Sequence, residues 1–357
     1  MTSRMFLDIH ALQSVPPANI NRDDTGSPKT AQYGGVRRAR VSSQACKRSI
    51  REYFKEFGDE AQVGVRTLDI VSYLAGKITA LDSSISEKEV LELANKTLNN
   101  AGISTKDFKA RALLFVGEKQ VERLAQAVID GETNKRILQG ILKDSPAIDI
   151  ALFGRMLADD PSLNEDASSQ VAHAISTHAI ENEYDFFTAL DDLSPENNAG
   201  AGMLGTIEFN SSTLYRYANV AVHEFIKQIG DKDAAVKALN LFIEAFIKSM
   251  PTGKSNTFAN LTLPGVVIVS LRRDRPVNLV TAFEEPVKSS SGYMDKSAER
   301  LYQEFDCVQG FASEAEFTLA LSLKEKNAYK GTYKVENVKS IEQLLNAFAE
   351  NMAIVLS

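Results

Sequence analysis

A block of helical segments over residues 59–146 interrupts a sequence that otherwise alternates between strands and helices. Within the block, Ser86 and Glu89 have the spacing of a capping box, and apolar residues recur at helical intervals after them. A second helix is predicted over Glu118–Ile129 and ends before Gly131. Because strand-like segments precede and follow the block, an insertion between two strands of one sheet explains it better than an independent domain.

The strand-like segments define the fold class. Residues 5–12 and 36–41 alternate between apolar and polar side chains, and the apolar run over 265–271 is typical of a central strand. Two further arms, over about 185–190 and 205–220, enclose a loop of Ser, Pro, Asn and Gly and predict a projecting hairpin. The other predicted elements are strands over 148–153 and 329–336 and helices over 170–179, 231–250, 295–309 and 340–353. Together they predict an α+β fold with a ferredoxin-like sheet and large insertions.

Residues 22–51 form a basic window in an acidic chain. Only Asp23 and Asp24 oppose eight basic residues, so the window carries +6, the whole chain −7 and the remainder therefore −13. The eight are Arg22, Lys29, Arg37, Arg38, Arg40, Lys47, Arg48 and Arg51. Positive charge concentrated beside negative flanks predicts a polyanion site, and nucleic acid is the commonest polyanion.

The local sequence of the window favours a phosphate site. A Gly34-Gly35 turn precedes a strand, Ser42 and Ser43 offer an N-cap, and an amphipathic helix follows. Lys47 and Arg48 then lie in or near the first turn, where the helix dipole is unfavourable for cations unless an anion binds there. A solvated basic helix face is the alternative interpretation.

Composition limits the class of protein. The 357 residues, 44% hydrophobic and 24% charged, are typical of a soluble globular protein. Two cysteines, Cys46 and Cys307, are too few for a disulfide framework or a cysteine metal site. We find neither a membrane-spanning apolar run nor the apolar core of a signal peptide. The expected location is the cytoplasm, without membrane association.

Several motifs match catalytic or cofactor patterns only in part. Residues 200–205 read G-x-G-x-x-G, but the strand and helix that a dinucleotide site requires do not flank them. Residues 253–255 resemble the end of a P-loop without its first glycine, so Lys254 would add at most one phosphate contact. His173 and His178 lie five residues apart, which does not suit two zinc ligands on one helix. The adjacent acidic pairs at 23–24, 159–160 and 191–192 do not establish a two-metal site.

Several blocks together resemble one known family. They are NRDD at 21–24, YGGVRRARVSSQ at 33–44, DIALFGRM at 149–156, AHAISTH at 172–178, FTALDDL at 187–193 and LYRYAN at 214–219. These blocks are similar to those of the CasC-type backbone subunit of Cascade, the RNA-guided surveillance complex of type I-E CRISPR systems. The resemblance runs in order over most of the chain.

The resemblance implies a hand-shaped protein without a cofactor. Its palm would be a modified RNA-recognition sheet over 1–58 and 147–357, its fingers the helical insertion over 59–146, and its thumb a hairpin at about 188–220. Copies of such a subunit polymerise along CRISPR RNA, contact other Cascade subunits, and meet target DNA through the guide. Target cutting in this family belongs to a separate helicase-nuclease, so the resemblance implies a non-catalytic protein.

The resemblance also implies site residues. Those that would grip the guide phosphates are Arg22, Lys29, Ser42, Gln44, Lys47, Arg48 and Arg51. Those that would wedge against a kinked base or lie in the thumb are Met156, Phe187, Thr188 and Leu204. Binding by backbone charge and apolar wedges suits a protein that accepts any guide sequence. Taken alone, Met156 and Phe187 would be interpreted as ordinary core residues.

Two other functions stay open at this point. A metal-independent endoribonuclease that processes CRISPR repeat RNA would use His10 or His173 as general base. A nucleotide-binding metabolic enzyme would use the glycine motif at 200–205.

Overall fold

The computed structural model describes residues 4–58, 63–157, 160–189 and 203–357. Most of the predicted hairpin loop and the first half of the glycine motif at 200–205 lie outside these residues, as do Asp159 and the acidic pair at 191–192. The strands are β1 (Phe6–Ala18), β2 (Thr30–Tyr33), β3 (Val36–Val41), β4 (Gly64–Thr67), β5 (Thr105–Lys106), β6 (Lys109–Ala110), β7 (Leu114–Gly117), β8 (Ser169–Val171), β9 (Ala174–Ser176), β10 (Glu183–Ala189), β11 (Met203–Ala221), β12 (Val266–Arg272), β13 (Phe317–Ser322) and β14 (Glu336–Val338).

The helices alternate with these strands along the chain. They are α1 (Ser43–Phe57), α2 (Ile70–Leu81), α3 (Glu87–Asn100), α4 (Glu118–Ile129), α5 (Lys135–Lys143), α6 (Ile148–Phe153), α7 (Val222–Ile229), α8 (Lys232–Lys248), α9 (Ser255–Phe258), α10 (Met294–Val308) and α11 (Ile341–Leu356). Short 3-10 helices span Pro161–Leu163, Leu279–Phe283 and Glu325–Asn327. Within the described residues, no helix is long and apolar enough to cross a membrane.

A large sheet organises the molecule and confirms the predicted α+β class. In the described part of the chain it has ten strands, and its main path runs β14-β13-β12-β1-β11-β9-β3-β2. The central strand β1 pairs antiparallel with β11 on one side and with β12 on the other. Both β8 and β10 also pair with β11. Because β11 is 19 residues long, it extends from the middle of the sheet into the hairpin with β10.

Alternation along β1 fills two hydrophobic cores, one on each face of the sheet. Leu7 and Ile9 belong to the core on one face, together with residues of α1, α7, α8 and α11. Leu12 belongs to the core on the other face, together with residues of α10 and the 3-10 helix Leu279–Phe283. The sheet is therefore covered by helical structure on both sides, which suits the fully buried apolar strand β12.

Helices α2, α3, α4 and α5 share a separate hydrophobic core. The capping box predicted at Ser86 is present, with Glu89 as its second member. The expectation that residues 59–146 are helical was incomplete, because β4 pairs with β7 and β5 pairs with β6 in this region. The division into palm and fingers at residues 58 and 147 stays a prediction.

Two short segments differ from their predicted type. Residues 148–153 form helix α6 instead of a strand, because a six-residue segment that is apolar except for Asp149 fits either structure. The predicted helix over 170–179 is instead the strands β8 and β9, which pair with β11 and β3. Sequence periodicity also missed β13, and the strand predicted over 329–336 begins only at residue 336.

Candidate nucleic-acid interface

The start of α1 and the loop before β2 form one corner of the molecule. Ser42 caps the helix, since its Oγ accepts a hydrogen bond from the Ala45 backbone N–H. The Asn21 side chain accepts the Ser42 N–H at 2.8 Å, and the Asn21 backbone carbonyl accepts the Lys29 N–H at 2.8 Å. Gln44 is exposed beside this cap, whereas Ser42 itself is buried. The predicted residues Lys29, Ser42 and Gln44 are thus brought to one corner by Asn21.

The Gly34-Gly35 turn fixes the adjacent hairpin of β2 and β3. Both glycines have positive φ, +59° and +76°. A Cβ on Gly34 would lie 1.6 Å from the Glu284 carbonyl oxygen, so any side chain there would collide with the backbone. Positive φ therefore favours glycine at both positions, and at Gly34 the lack of space also requires it.

Two of the predicted phosphate contacts are free cations. Arg22 and Arg48 are exposed, and neither has a hydrogen bond or ion pair from its side chain to any residue that the structure describes. Both line an open groove of about 1200 Å³, together with the half-buried Lys254. Acidic residues also line the groove, namely Asp23, Asp24, Glu52 and Glu56. The groove therefore carries mixed charge, with Arg22 and Arg48 available to an anion.

Lys47 is the fifth residue of α1, which begins at Ser43, so it lies directly after the first turn, in agreement with the predicted position in or near that turn. Its ammonium is 5.6 Å from the centre of the Phe153 ring, and burial lowers the pKa of this lysine. Lys47 thus faces the core side of α1 more than Arg48 does.

Other cations of the basic window hold the fold together. Arg38 is fully buried and donates to the carbonyls of Tyr33, Ser176 and Phe283 at 3.1, 3.0 and 2.8 Å. Its guanidinium thus joins the β2–β3 hairpin to β9 and to the 3-10 helix that ends at Phe283. Residue type alone gave no sign of this role.

Arg51, a predicted phosphate contact, is engaged within the protein. Its Nε donates to Asp149 at 2.9 Å, and the guanidinium lies 4.4 Å from the centre of the Phe115 ring. Asp149 is fully buried, also accepts the Gly64 N–H, and has a pKa raised by burial. Arg51 therefore neutralises a buried carboxylate, and its contact with nucleic acid stays a prediction.

His173 and His178, whose spacing does not suit two zinc ligands on one helix, lie in different surroundings. His178 is buried and stacks on the Tyr293 ring with centroids 3.5 Å apart. His173 is exposed, and its Nδ1 lies 3.2 Å from an Arg40 guanidinium nitrogen. They form no metal site, and the described residues contain no cluster of three or more potential metal ligands.

His10 is unsuited to act on an RNA substrate. Its ring is buried on the sheet, with Nδ1 2.9 Å from the Tyr215 hydroxyl. Burial lowers the pKa of His10 to about 3, so the ring is neutral at physiological pH. In the folded chain the imidazole is therefore closed off from solvent.

The β10–β11 hairpin exposes apolar side chains on both faces. Register places Phe187 opposite Gly205, and a Cβ on Gly205 would lie 2.4 Å from the Phe187 ring, so the ring covers the glycine. Phe187 is half-buried in this way. The other face carries exposed residues at alternate positions, and they are Tyr184 (70% exposed), Phe186 (65%), Thr188 and Leu204 (62%). Phe187 therefore lies on the opposite face from the predicted thumb residues Thr188 and Leu204.

Met156 projects from an anchored backbone. Its side chain is 85% exposed. The preceding Arg155 is buried and donates to the carbonyls of Leu163, Phe115 and Leu142. The interpretation of Met156 as an ordinary core residue is therefore wrong.

Asn19 links the corner formed by the start of α1 and the loop before β2, here called the basic corner, to the β10–β11 hairpin. The sequence did not signal this role. Its Nδ2 donates to the Gly26 carbonyl at 3.0 Å and to the Glu208 carbonyl at 2.9 Å. Its Oδ1 is buried and accepts no hydrogen bond from the residues that the structure describes. An unpaired buried oxygen costs about 1–3 kcal/mol, which the two donated bonds must offset.

Comparison with known proteins gives a consistent result. The model of the family described as CT1975-like protein matches residues 7–347. The chain is similar to one in the solved "CRISPR RNA-guided surveillance complex, pre-nicking", with 30% identity, a TM-score of 0.85, and coverage of 97% of this chain and 100% of that one. It is also similar to a chain of a second "CRISPR RNA-guided surveillance complex", with 30% identity, a TM-score of 0.65, and coverage of 97% and 98%. No curated protein matches the sequence.

Proposed function

Since the chain belongs to the family of CT1975-like proteins, we propose that it is a backbone subunit of a Cascade-type surveillance complex, of the type I-E kind. The observation that carries this proposal is the end-to-end similarity to chains of RNA-guided surveillance complexes at 30% identity. The ligand is CRISPR RNA, and target DNA is met by pairing with that guide. The partners are further copies of the chain and other Cascade subunits, and the subunit itself is non-catalytic.

The basic corner supplies the sequence-independent part of guide binding. Arg22 and Arg48 are exposed and unpaired within the described structure, so binding a phosphate requires no internal ion pair to break. Gln44 is exposed at the same helix start, where backbone N–H groups and the helix dipole favour an anion. Contacts of this kind hold the guide by its backbone and leave its bases free to pair.

Apolar side chains supply the second part of guide binding. Met156 is exposed on a backbone fixed by Arg155, and Phe187 lies on the hairpin that extends from the central sheet. We assign to them the wedge that displaces a guide base, since inserted apolar side chains offset the cost of unstacking. The opposite hairpin face, with Phe186 and Leu204, is assigned to contact with a neighbouring copy.

Salt dependence of RNA binding tests the proposal. Changing Arg22 and Arg48 together to Ala should weaken binding equally for guides of different sequence, and should reduce the log–log salt slope by about 1.4, two phosphates on a single strand. Lys227→Ala is the matched control, because Lys227 is exposed but already paired with Glu224. Sequence-selective loss of binding, or an unchanged slope, would contradict a backbone-reading role.

A further inference from the structure

A small basic cluster lies where three segments of the sheet edge meet. Lys29 precedes β2, Arg40 lies on β3, and His173 lies between β8 and β9. The Arg40 backbone N–H donates to the Lys29 carbonyl at 2.9 Å, and pairing of Arg40 with Ile175 brings β9 alongside β3. One Arg40 guanidinium nitrogen then lies 3.2 Å from His173 Nδ1, while Arg40 Nε donates to the Thr30 carbonyl.

The contact with Arg40 fixes the tautomer of His173. Arginine has donors only and stays protonated, so the Nδ1 that it contacts must be the acceptor. The ring proton is therefore on Nε2, and the exposed imidazole offers an N–H group to solvent. The pKa of His173 is lowered, first by partial burial and then by Arg40 and Lys29, so the neutral ring prevails at pH 7.

The charges around this imidazole have one sign. Arg40 and Lys29 are the charged groups that act on it, and both are positive. Neither forms an ion pair with a carboxylate in the part of the chain that the structure describes. Two cations and one neutral N–H donor without a counter-ion are the chemistry that recognises a phosphate oxyanion.

We propose that Lys29, Arg40 and His173 form a second phosphate cradle on the sheet edge, with His173 as a neutral donor to a backbone phosphate of the bound nucleic acid. This inference rests on the proposed function. It also assigns His173 a role different from general base, because the nitrogen that could accept a proton already accepts from Arg40. The cradle shares Lys29 with the α1 corner and extends phosphate binding onto β3 and the β8–β9 connection.

Two variants of His173 separate its donor role from charge. In RNA filter binding at fixed salt, His173→Ala should weaken affinity about tenfold, the effect of one hydrogen bond to a charged group. Because the ring is neutral, the salt slope should stay unchanged, whereas Lys29→Ala should reduce the slope by about 0.7. His173→Gln keeps an N–H donor and should recover most of the affinity.

Several outcomes would overturn the cradle. They are wild-type affinity of His173→Ala, no recovery in His173→Gln, a slope reduced by His173→Ala, and RNA cleavage that depends on His173. The Arg22 and Arg48 double variant is measured in the same assay. If it loses binding while His173→Ala does not, the cradle alone is wrong; if neither loses binding, the proposed function fails as well.

Discussion

The basic window and the β10–β11 hairpin expose opposite kinds of surface. In the window the free residues are charged, and they sit on a corner where a helix cap, a glycine turn and the sheet meet. In the hairpin the exposed residues include large apolar or aromatic side chains, namely Tyr184, Phe186 and Leu204, which stand on two strands with little core beneath them. In the hairpin, residue type is therefore enough to identify candidate contacts. In the window, the free Arg48 and the buried Arg38 are both arginines, and only their hydrogen-bond partners distinguish them.

The largest expected effect tests that distinction within a single strand. Arg38→Ala leaves the carbonyls of Tyr33, Ser176 and Phe283 without their donor, and should lower the free energy of unfolding by about 3 kcal/mol. Arg37→Ala, one position away but exposed, should change it by less than about 0.5 kcal/mol. Denaturant unfolding of both variants measures the difference. If the two variants had equal free energies of unfolding, the division of the window into structural and free cations would be wrong.

A smaller effect on folding is expected for the wedge residues. If Met156 and Phe187 were core residues, each change to Ala would cost about 2–5 kcal/mol. Since Met156 is exposed and Phe187 half-buried, we expect about 1 kcal/mol or less for the pair. The assembled complex should instead lose the periodic reactivity of displaced guide bases towards chemical probes. Phe311→Ala, which removes another exposed ring, is the control.

A strongly destabilised double variant with intact periodic reactivity would return both residues to a packing role. The comparison between the two regions would then fail on the hairpin side, because exposure would no longer identify contact residues there.

The smallest effect separates helix capping from phosphate binding at Ser42. Ser42→Ala removes the acceptor for the Ala45 N–H and should cost about 1 kcal/mol, whereas Ser42→Gly should cost only a few tenths. If the hydroxyl also binds a phosphate, both variants should weaken RNA binding to the same extent despite their different stabilities. Thermal melts and filter binding on the same samples test this; RNA affinity that follows stability would leave Ser42 as a cap alone.

Sequence periodicity predicted those elements whose type, helix or strand, depends mainly on their own residues. The helices α1, α4, α8, α10 and α11 and the strand β12 follow from spacing, caps and apolar runs. The failures at α6 and at β8 and β9 are short segments, whose type depends on which neighbour receives their hydrogen bonds. For β8 and β9, long-range pairing with β11 and β3 decides the type, and spacing within the segment does not record it. In α6 the backbone bonds are local, as between the Gly154 N–H and the Ile150 carbonyl.

The sequence predicted which residues belong to the candidate site. It did not predict which of them are free to bind a ligand and which hold the fold together. Charge and the resemblance placed phosphate contacts in the basic window, and exposure is consistent with this for Arg22, Gln44 and Arg48. The burial of Arg38 depends on acceptors 138 and 245 residues further along the chain. Likewise the tautomer of His173 depends on Arg40, 133 residues away. Such partners become visible only once the chain is folded.

The two bonds of the Asn19 amide have a mechanical consequence. One amide nitrogen joins a carbonyl of the phosphate-side loop, at Gly26, to a carbonyl at the root of the hairpin, at Glu208. A shift of either carbonyl by more than a few tenths of an ångström strains the bond to the other, because hydrogen bonds tolerate little extension. If copies line up along a guide as proposed, the position of RNA on one subunit is coupled to the angle of the β10–β11 hairpin that this subunit extends to the next copy. Asn19→Ala should uncouple them, seen as faster hydrogen exchange at the hairpin root with the central β1–β11 pairing still protected.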